Sequence, residues 1–360
     1  MNRLLHLDVA RGLGILLVVL GHNWIVFHPK GELFDLIYSF HLPLFFFLSG
    51  IFFRPQQALT SLARSKSDAL LKPYFVTLLA FGAAIAITKP FDPLEYLSQI
   101  TFATGGSLWS LYGEQTGITA YWAPLWFLPH LFVLSLAAWC WLRLSHRLPM
   151  ASQASHVLLA ALFAFGIWAL PLQPTTSGHG APGLPLSVDL VPITLGFFLV
   201  GYYMREAVQN FQRSRRLLLL SIAIFVGGHA LGDHSMDLNK RYYGNALETT
   251  AIAFAGIYLS LALSHWLAQR PGFAMRALAF LGEASLLILI FHSLFQSKSH
   301  HVMVTRFSIE PALAAPASFA IGLSAPLVIH MAVQRIRPLA WLYLPLKGRK
   351  ERPMAETISR

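Results

Sequence analysis

Two ionisable residues eleven positions apart, Arg11 and His22, interrupt an otherwise apolar run, LDVARGLGILLVVLGHNW. Eleven residues of α-helix turn through about 1100°, roughly 20° past three full turns, so the two side chains share one helix face. They stand about 16 Å apart along the axis. Asp8, three residues before Arg11, can pair with it across one turn. Arginine is a permanent cation suited to phosphate, and histidine can take a proton from a hydroxyl near neutral pH. The plainer alternative is that Arg11 snorkels to the headgroups while a neighbouring helix satisfies a neutral His22.

The next apolar run, ELFDLIYSFHLPLFFFLSGIFF, tips the balance toward chemistry. It places His41 near mid-depth, immediately before Leu42-Pro43. Pro43 has no N–H to give and frees the carbonyl of Ser39, which predicts a kinked helix beside His41. His41 or backbone donors at that kink could orient His22 or stabilise an oxyanion. Phe45, Phe46 and Phe47 read as packing surface, and Ser49-Gly50 permits close helix approach.

The elements that must position these residues are membrane helices. The 360-residue chain is 55% hydrophobic and 12% charged, with mean hydropathy +0.55, where soluble domains carry about 25% charged residues. We place ten spans at 7–27, 33–53, 69–88, 122–142, 154–171, 189–208, 216–232, 245–267, 276–297 and 315–334. An interfacial helix at 94–103 and an irregular loop fill the interruption at 89–121, and 172–188 is a Pro/Gly/Ser/Thr-rich loop. With these spans, twenty Lys and Arg fall on the side of the termini and six on the other, with Arg11 inside the first span. The positive-inside rule then makes both termini cytoplasmic. The expectation is an all-α polytopic membrane protein: one membrane domain over 1–340, then a basic cytoplasmic tail at 341–360. The apolar N-terminal run holds Asp8, Arg11 and His22 and lacks a small-x-small site, so it reads as a retained span and not a cleaved signal.

Net charge +11 resides in short loops, which argues against nucleic acid as a partner. Cys140 is the single cysteine, and neither His300-His301 nor Asp233-His234 has metal-ligand spacing, so no metal is expected. No internal repeat or matched pair of broken helices signals a transporter.

The chain resembles the acyltransferase family 3 membrane proteins, and within them the fucose 4-O-acetylase-like branch. The resemblance rests on Arg11 and His22 within DxxRG…GH, on FHLPLFFFLSG at 40–50, on LWFLPHLF at 125–132 and on LGEASLLILIFH at 281–292. It implies transfer of an acyl group, commonly acetyl, from cytoplasmic acyl-CoA to a hydroxyl of a sugar or a surface or exported glycan. The setting it implies is the bacterial cytoplasmic (inner) membrane, and Arg11 and His22 take the places of the family's essential pair. On this reading Arg11 binds acetyl-CoA phosphates and His22 acts as general base or, by the alternative route, carries the acyl group itself. Arg205 and the Arg213–Arg216 cluster could also meet those phosphates, although topology explains them equally well. Trp126 divides evenly between substrate contact and interface anchor, while His292 reads more simply as a satisfied core histidine. Glu32, Asp35, Asp233, Asp237, Lys240, Arg241 and Glu248 could bond sugar hydroxyls from outside. Asp35 and Glu248 are preferred because they fall just inside spans. The rival readings are a transporter of a small anion or sugar, and an acyltransferase using another acyl group or a non-sugar acceptor. The oligomeric state is open.

Overall fold

In the computed structural model, residues 4–27, 31–87, 92–109, 111, 122–147, 152–172, 183–231 and 236–346 are described. Asp233, His234 and the tail beyond Leu346 lie outside them, as does part of each of the two long loops.

Helices dominate, as 55% hydrophobic composition in runs of membrane length requires, because a backbone in lipid must satisfy its own polar groups. In chain order they are α1 (Leu5–Gly21), α2 (Trp24–Phe27), α3 (Glu32–Tyr38), α4 (His41–Ile51), α5 (Leu59–Lys66), α6 (Lys72–Ala86), α7 (Pro93–Phe102) and α8 (Gly105–Trp109). After these come α9 (Phe127–Arg147), α10 (Ser152–Ala169), α11 (Val191–Tyr203), α12 (Arg205–Gln209), α13 (Arg215–Leu231), α14 (Ala246–Ala268), α15 (Phe273–Phe307), α16 (Pro311–Arg335) and α17 (Arg337–Tyr343). Eight helical segments are long and apolar enough to cross a membrane. Two more, α1 and α13, have 17 residues each, the lower limit for a span, and occupy the first and seventh positions of the ten-span plan. The protein is an all-α polytopic membrane protein whose outer faces present Leu79, Val157, Phe165, Trp168, Val226 and Val328.

Four departures from the expected elements shape the interior. The helix expected through 27 stops at Gly21 and restarts as α2, because the Asn23 side chain accepts from the Ile25 N–H at 3.1 Å and competes with the helix. The kink expected at Pro43 is a complete break at Ser39-Phe40 between α3 and α4. The third span begins ten residues early, at Leu59, and passes through a π-helical turn at Ser67–Leu71. The ninth span, expected to end at 297, continues to Phe307, and 35 residues make α15 about 52 Å long.

As expected, α7 forms in the first long interruption. Asp92 caps it by accepting from Leu94 N at 2.9 Å and Glu95 N at 3.2 Å, and Pro93 occupies its first position.

A two-stranded hairpin, β1 (Met236–Asp237) and β2 (Tyr242–Tyr243), lies between α13 and α14. Arg241 at its turn is 5% exposed and forms a bidentate pair with Asp189, Nε to Oδ2 at 2.7 Å and Nη2 to Oδ1 at 3.1 Å. Nη2 also donates to Ser187 Oγ at 3.1 Å and Nη1 to the Asn239 carbonyl at 3.1 Å. Gly183 has φ +123°, and a side chain there would collide with the guanidinium. Arg241, one of the outer-loop charges that could bond a sugar hydroxyl, is instead a buried clamp between two loops. Removing one partner of such a pair costs about 3–5 kcal/mol, because the other charge is left buried and alone. Asp189→Asn should therefore lower the thermal unfolding midpoint in detergent more than the paired replacement Asp189→Leu with Arg241→Met.

Candidate active site

The end of α1 builds the site. The last four carbonyls of any α-helix lack intrahelical partners, and here the helix ends inside the protein. Each is satisfied. The Val18 carbonyl accepts from the His22 backbone N–H at 3.2 Å and a second time from its Nδ1 at 2.7 Å, and that of Val19 accepts from Gln296 Nε2 at 3.2 Å. The Leu20 carbonyl accepts from Asn23 N at 2.9 Å, and that of Gly21 from Tyr38 Oη at 3.4 Å. Asn23 Nδ2 then donates to the Ala315 carbonyl at 3.0 Å, tying the same corner to α16.

A carbonyl can only accept, so the His22 nitrogen facing Val18 must be the protonated one. Nε2 of neutral His22 therefore keeps a lone pair. The same device recurs at His41, whose Nδ1 donates to the Ile37 carbonyl at 2.8 Å, and at His292, whose Nδ1 donates to the Ile288 carbonyl at 2.8 Å. His292 is fully buried, its ring centroid is 5.2 Å from that of His22, and among the described residues its Nε2 has no hydrogen-bond partner. Among the described residues no group of three His, Cys, Asp or Glu side chains is arranged to hold a metal ion.

These residues adjoin a cavity of about 750 Å³. Its walls include Arg11, Ser49, Leu70 and Ser285 at one end, His22, His41, Tyr38 and Trp126 farther along, and Asp237, Asn239, Lys240, His300 and His301 at the other. Ser285 and His301 are sixteen residues apart on α15, about 24 Å, so the cavity runs through most of a hydrocarbon layer about 30 Å thick. Arg11 pairs with Asp8 at 3.8 Å and lies over the Phe52 ring, 4.2 Å from its centroid. Both contacts are made by the guanidinium itself, which also borders the cavity.

Of the residues singled out from sequence, Arg11, His22, His41 and Trp126 line this one cavity and His292 packs on His22. Asp237 and Lys240 line it as well, and the other described candidates are elsewhere. Arg205 stacks on Tyr202, 4.4 Å from the ring centroid. Asp35 and Glu248 sit half-buried in the first turns of α3 and α14, where a negative charge suits the helix dipole. Sequence reasoning passed over Tyr38 and Gln296, weighed His300 and His301 only as metal ligands, and ranked Asp237 below Asp35 and Glu248. A signal existed for part of this set: Ser293, Gln296, Ser297, His300 and His301 fall at the three-and-four spacing of one helical face.

The chain matches the family model Acyl_transf_3, described as an acyltransferase domain, over residues 4–331. It belongs to this acyltransferase family, and is a membrane acyltransferase. No curated protein and no solved structure matches it.

Two glycines set the register of the site. A Cβ on Gly12 would collide with the Leu278 carbonyl, and one on Gly282 with the Asp8 carbonyl, so α1 and α15 touch backbone to backbone. Gly282→Ala should separate the helices, costing about 1–3 kcal/mol as overpacking does. We expect a lower unfolding midpoint and at least about a tenfold loss of turnover, since reacting groups displaced by an ångström lose about that much or more. Gly227→Ala, where an added Cβ meets nothing within 4 Å, should leave both unchanged.

Proposed function

We propose that the protein moves an acetyl group from cytoplasmic acetyl-CoA to a hydroxyl of a sugar or of a surface or exported glycan, in the bacterial cytoplasmic membrane. The observation that carries this reading is the His22 Nε2 lone pair on a cavity that has Arg11 toward one end and polar side chains at the other. In this scheme both termini are cytoplasmic and residues 1–340 form the membrane domain, followed by the basic tail.

Arg11 holds donor phosphates at the cytoplasmic end, and the extended pantetheine arm carries the thioester inward. His22 Nε2 takes the proton of the acceptor hydroxyl as its oxygen attacks the thioester carbonyl carbon. The C–S bond then breaks, the acetyl group stays on the acceptor oxygen, and the CoA thiolate takes the proton back from His22. The first turn of α4, the positive end of that helix, faces the cavity where negative charge develops on the carbonyl oxygen, and His41 at its start presents an Nε2 acceptor that can orient a hydroxyl. Direct transfer suits the locked tautomer, because Nδ1 is committed to Val18 and a single nitrogen serves both proton transfers.

The test uses purified protein, labelled acetyl-CoA and a panel of glycosides and glycans. Acceptor-dependent CoA release with label on the acceptor is the expected result. His22→Ala should lower turnover by about 10²–10⁴-fold, the usual worth of a general base, with CoA binding retained. Arg11→Lys should raise the KM for acetyl-CoA more than it lowers kcat. A stable His22→Ala protein with near-normal turnover would remove His22 from the chemistry, and full activity with butyryl-CoA but not acetyl-CoA would change the donor.

A further inference from the structure

Asp237 is the one acid on the cavity wall other than any brought by a ligand, among the described residues. It is 8% exposed. One carboxylate oxygen, Oδ1, accepts from the Lys240 N–H at 3.2 Å and caps the short turn at Leu238–Lys240. The other oxygen makes no hydrogen bond, and no cation pairs with the side chain among the described residues. Arg241, four residues on, is committed to Asp189, and Lys240 is exposed at the rim. β1 packs on α3, the helix that carries Tyr38.

A buried carboxylate without a counter-ion is costly unless donors satisfy it. Hydroxyl groups supply such donors; a second anion in the same low-dielectric space adds repulsion. Beyond Asp237, Trp24 and His300 stack with centroids 5.6 Å apart and an interplanar angle of 18°, and both line the cavity. The α15 face adds the hydroxyls of Ser293 and Ser297. This is a wall of aromatic surface and polar groups around one open acid, with the single lysine, Lys240, exposed at the rim.

We propose that Asp237 binds a hydroxyl of the acceptor near the one that reacts, so that this end of the cavity takes uncharged polyhydroxyl compounds such as neutral glycosides and rejects acceptors negatively charged at that point. The assignment rests on the acyl-transfer reading but is tested by binding as well as by turnover.

Asp237→Asn is the informative variant, because asparagine caps a turn as well as aspartate and keeps its shape while removing the charge. Methyl glucoside and methyl glucuronide are titrated into purified wild type and variant, followed by quenching of tryptophan fluorescence, with acetyl-CoA turnover and CoA binding measured separately. Wild type should bind the glucoside in preference to the glucuronide, and the variant should lose about tenfold or more of that preference with CoA binding and unfolding midpoint unchanged. An unchanged preference, a wild type that favours the glucuronide, or no binding of either glycoside overturns the assignment. If acetyl-CoA is still turned over with another acceptor in any of those cases, the enzyme reading survives alone. If the glycoside preference holds but acetyl-CoA is never consumed, the acetyl-transfer reading fails and the subsite stands.

Discussion

A helix that ends inside a membrane protein leaves four carbonyls to be satisfied where water is scarce, and the end of α1 is that constraint here. Every group recruited to meet it comes from somewhere useful. His22 turns back on Val18, Tyr38 reaches in from α3, and Gln296 reaches in from α15. Satisfying the backbone thus also fixes the histidine tautomer and brings three separate parts of the chain to one corner of the cavity. Extending α1 by one more regular turn would hide those carbonyls and dismantle the corner.

The second condition is register. Contacts between α1 and α15 rise together, from Gly12 with Leu278, and Asp8 with Gly282, to Val19 with Gln296 and His22 with His292, so the two helices run parallel. Gly12 to His22 and Gly282 to His292 are equal steps of ten residues, each about 15 Å of rise. Backbone contact at the glycines therefore sets the histidines level. The same solution recurs where Gly50 of α4 meets the Phe198 carbonyl of α11 and Gly201 of α11 meets that of Phe47. With no hydrophobic drive between helices in lipid, close packing at small residues is what holds such a pair.

Hydropathy and positive charge made the helical plan legible, because lipid leaves the chain few alternatives. The Arg11–His22 spacing was legible for a related reason, since a helical face follows from periodicity alone. What escaped was set by side chains competing with the backbone. Asn23 ends a helix that hydropathy would continue, and the Ser39-Phe40 break exceeds the kink that Pro43 predicts. The polar stretch after residue 297 fell outside the expected span because it was judged by composition; its helical spacing shows only when Ser293, Gln296, Ser297, His300 and His301 are placed on one wheel. Asp237 and Arg241 could not be separated in sequence: both are charges in one outer loop. Pairing with Asp189, fifty-two residues away, makes Arg241 structural and leaves Asp237 open.

That pairing also explains how a short hairpin can serve a reaction centre. Loop charges are ordinarily solvated and mobile, whereas the Arg241 guanidinium spends four hydrogen bonds on Asp189, Ser187 and Asn239 and locks the hairpin to the loop before α11. Asp237 and Asn239 are thereby held against the cavity without being in any spanning helix. Under the proposed reaction the donor end and the acceptor end then differ in construction. The Arg11 end is built on helices whose register is fixed by glycine contacts, as suits a phosphate-bearing donor common to many enzymes. The opposite end is built on a clamped loop, the element that can change between related proteins without disturbing the helices, and acceptor choice belongs there.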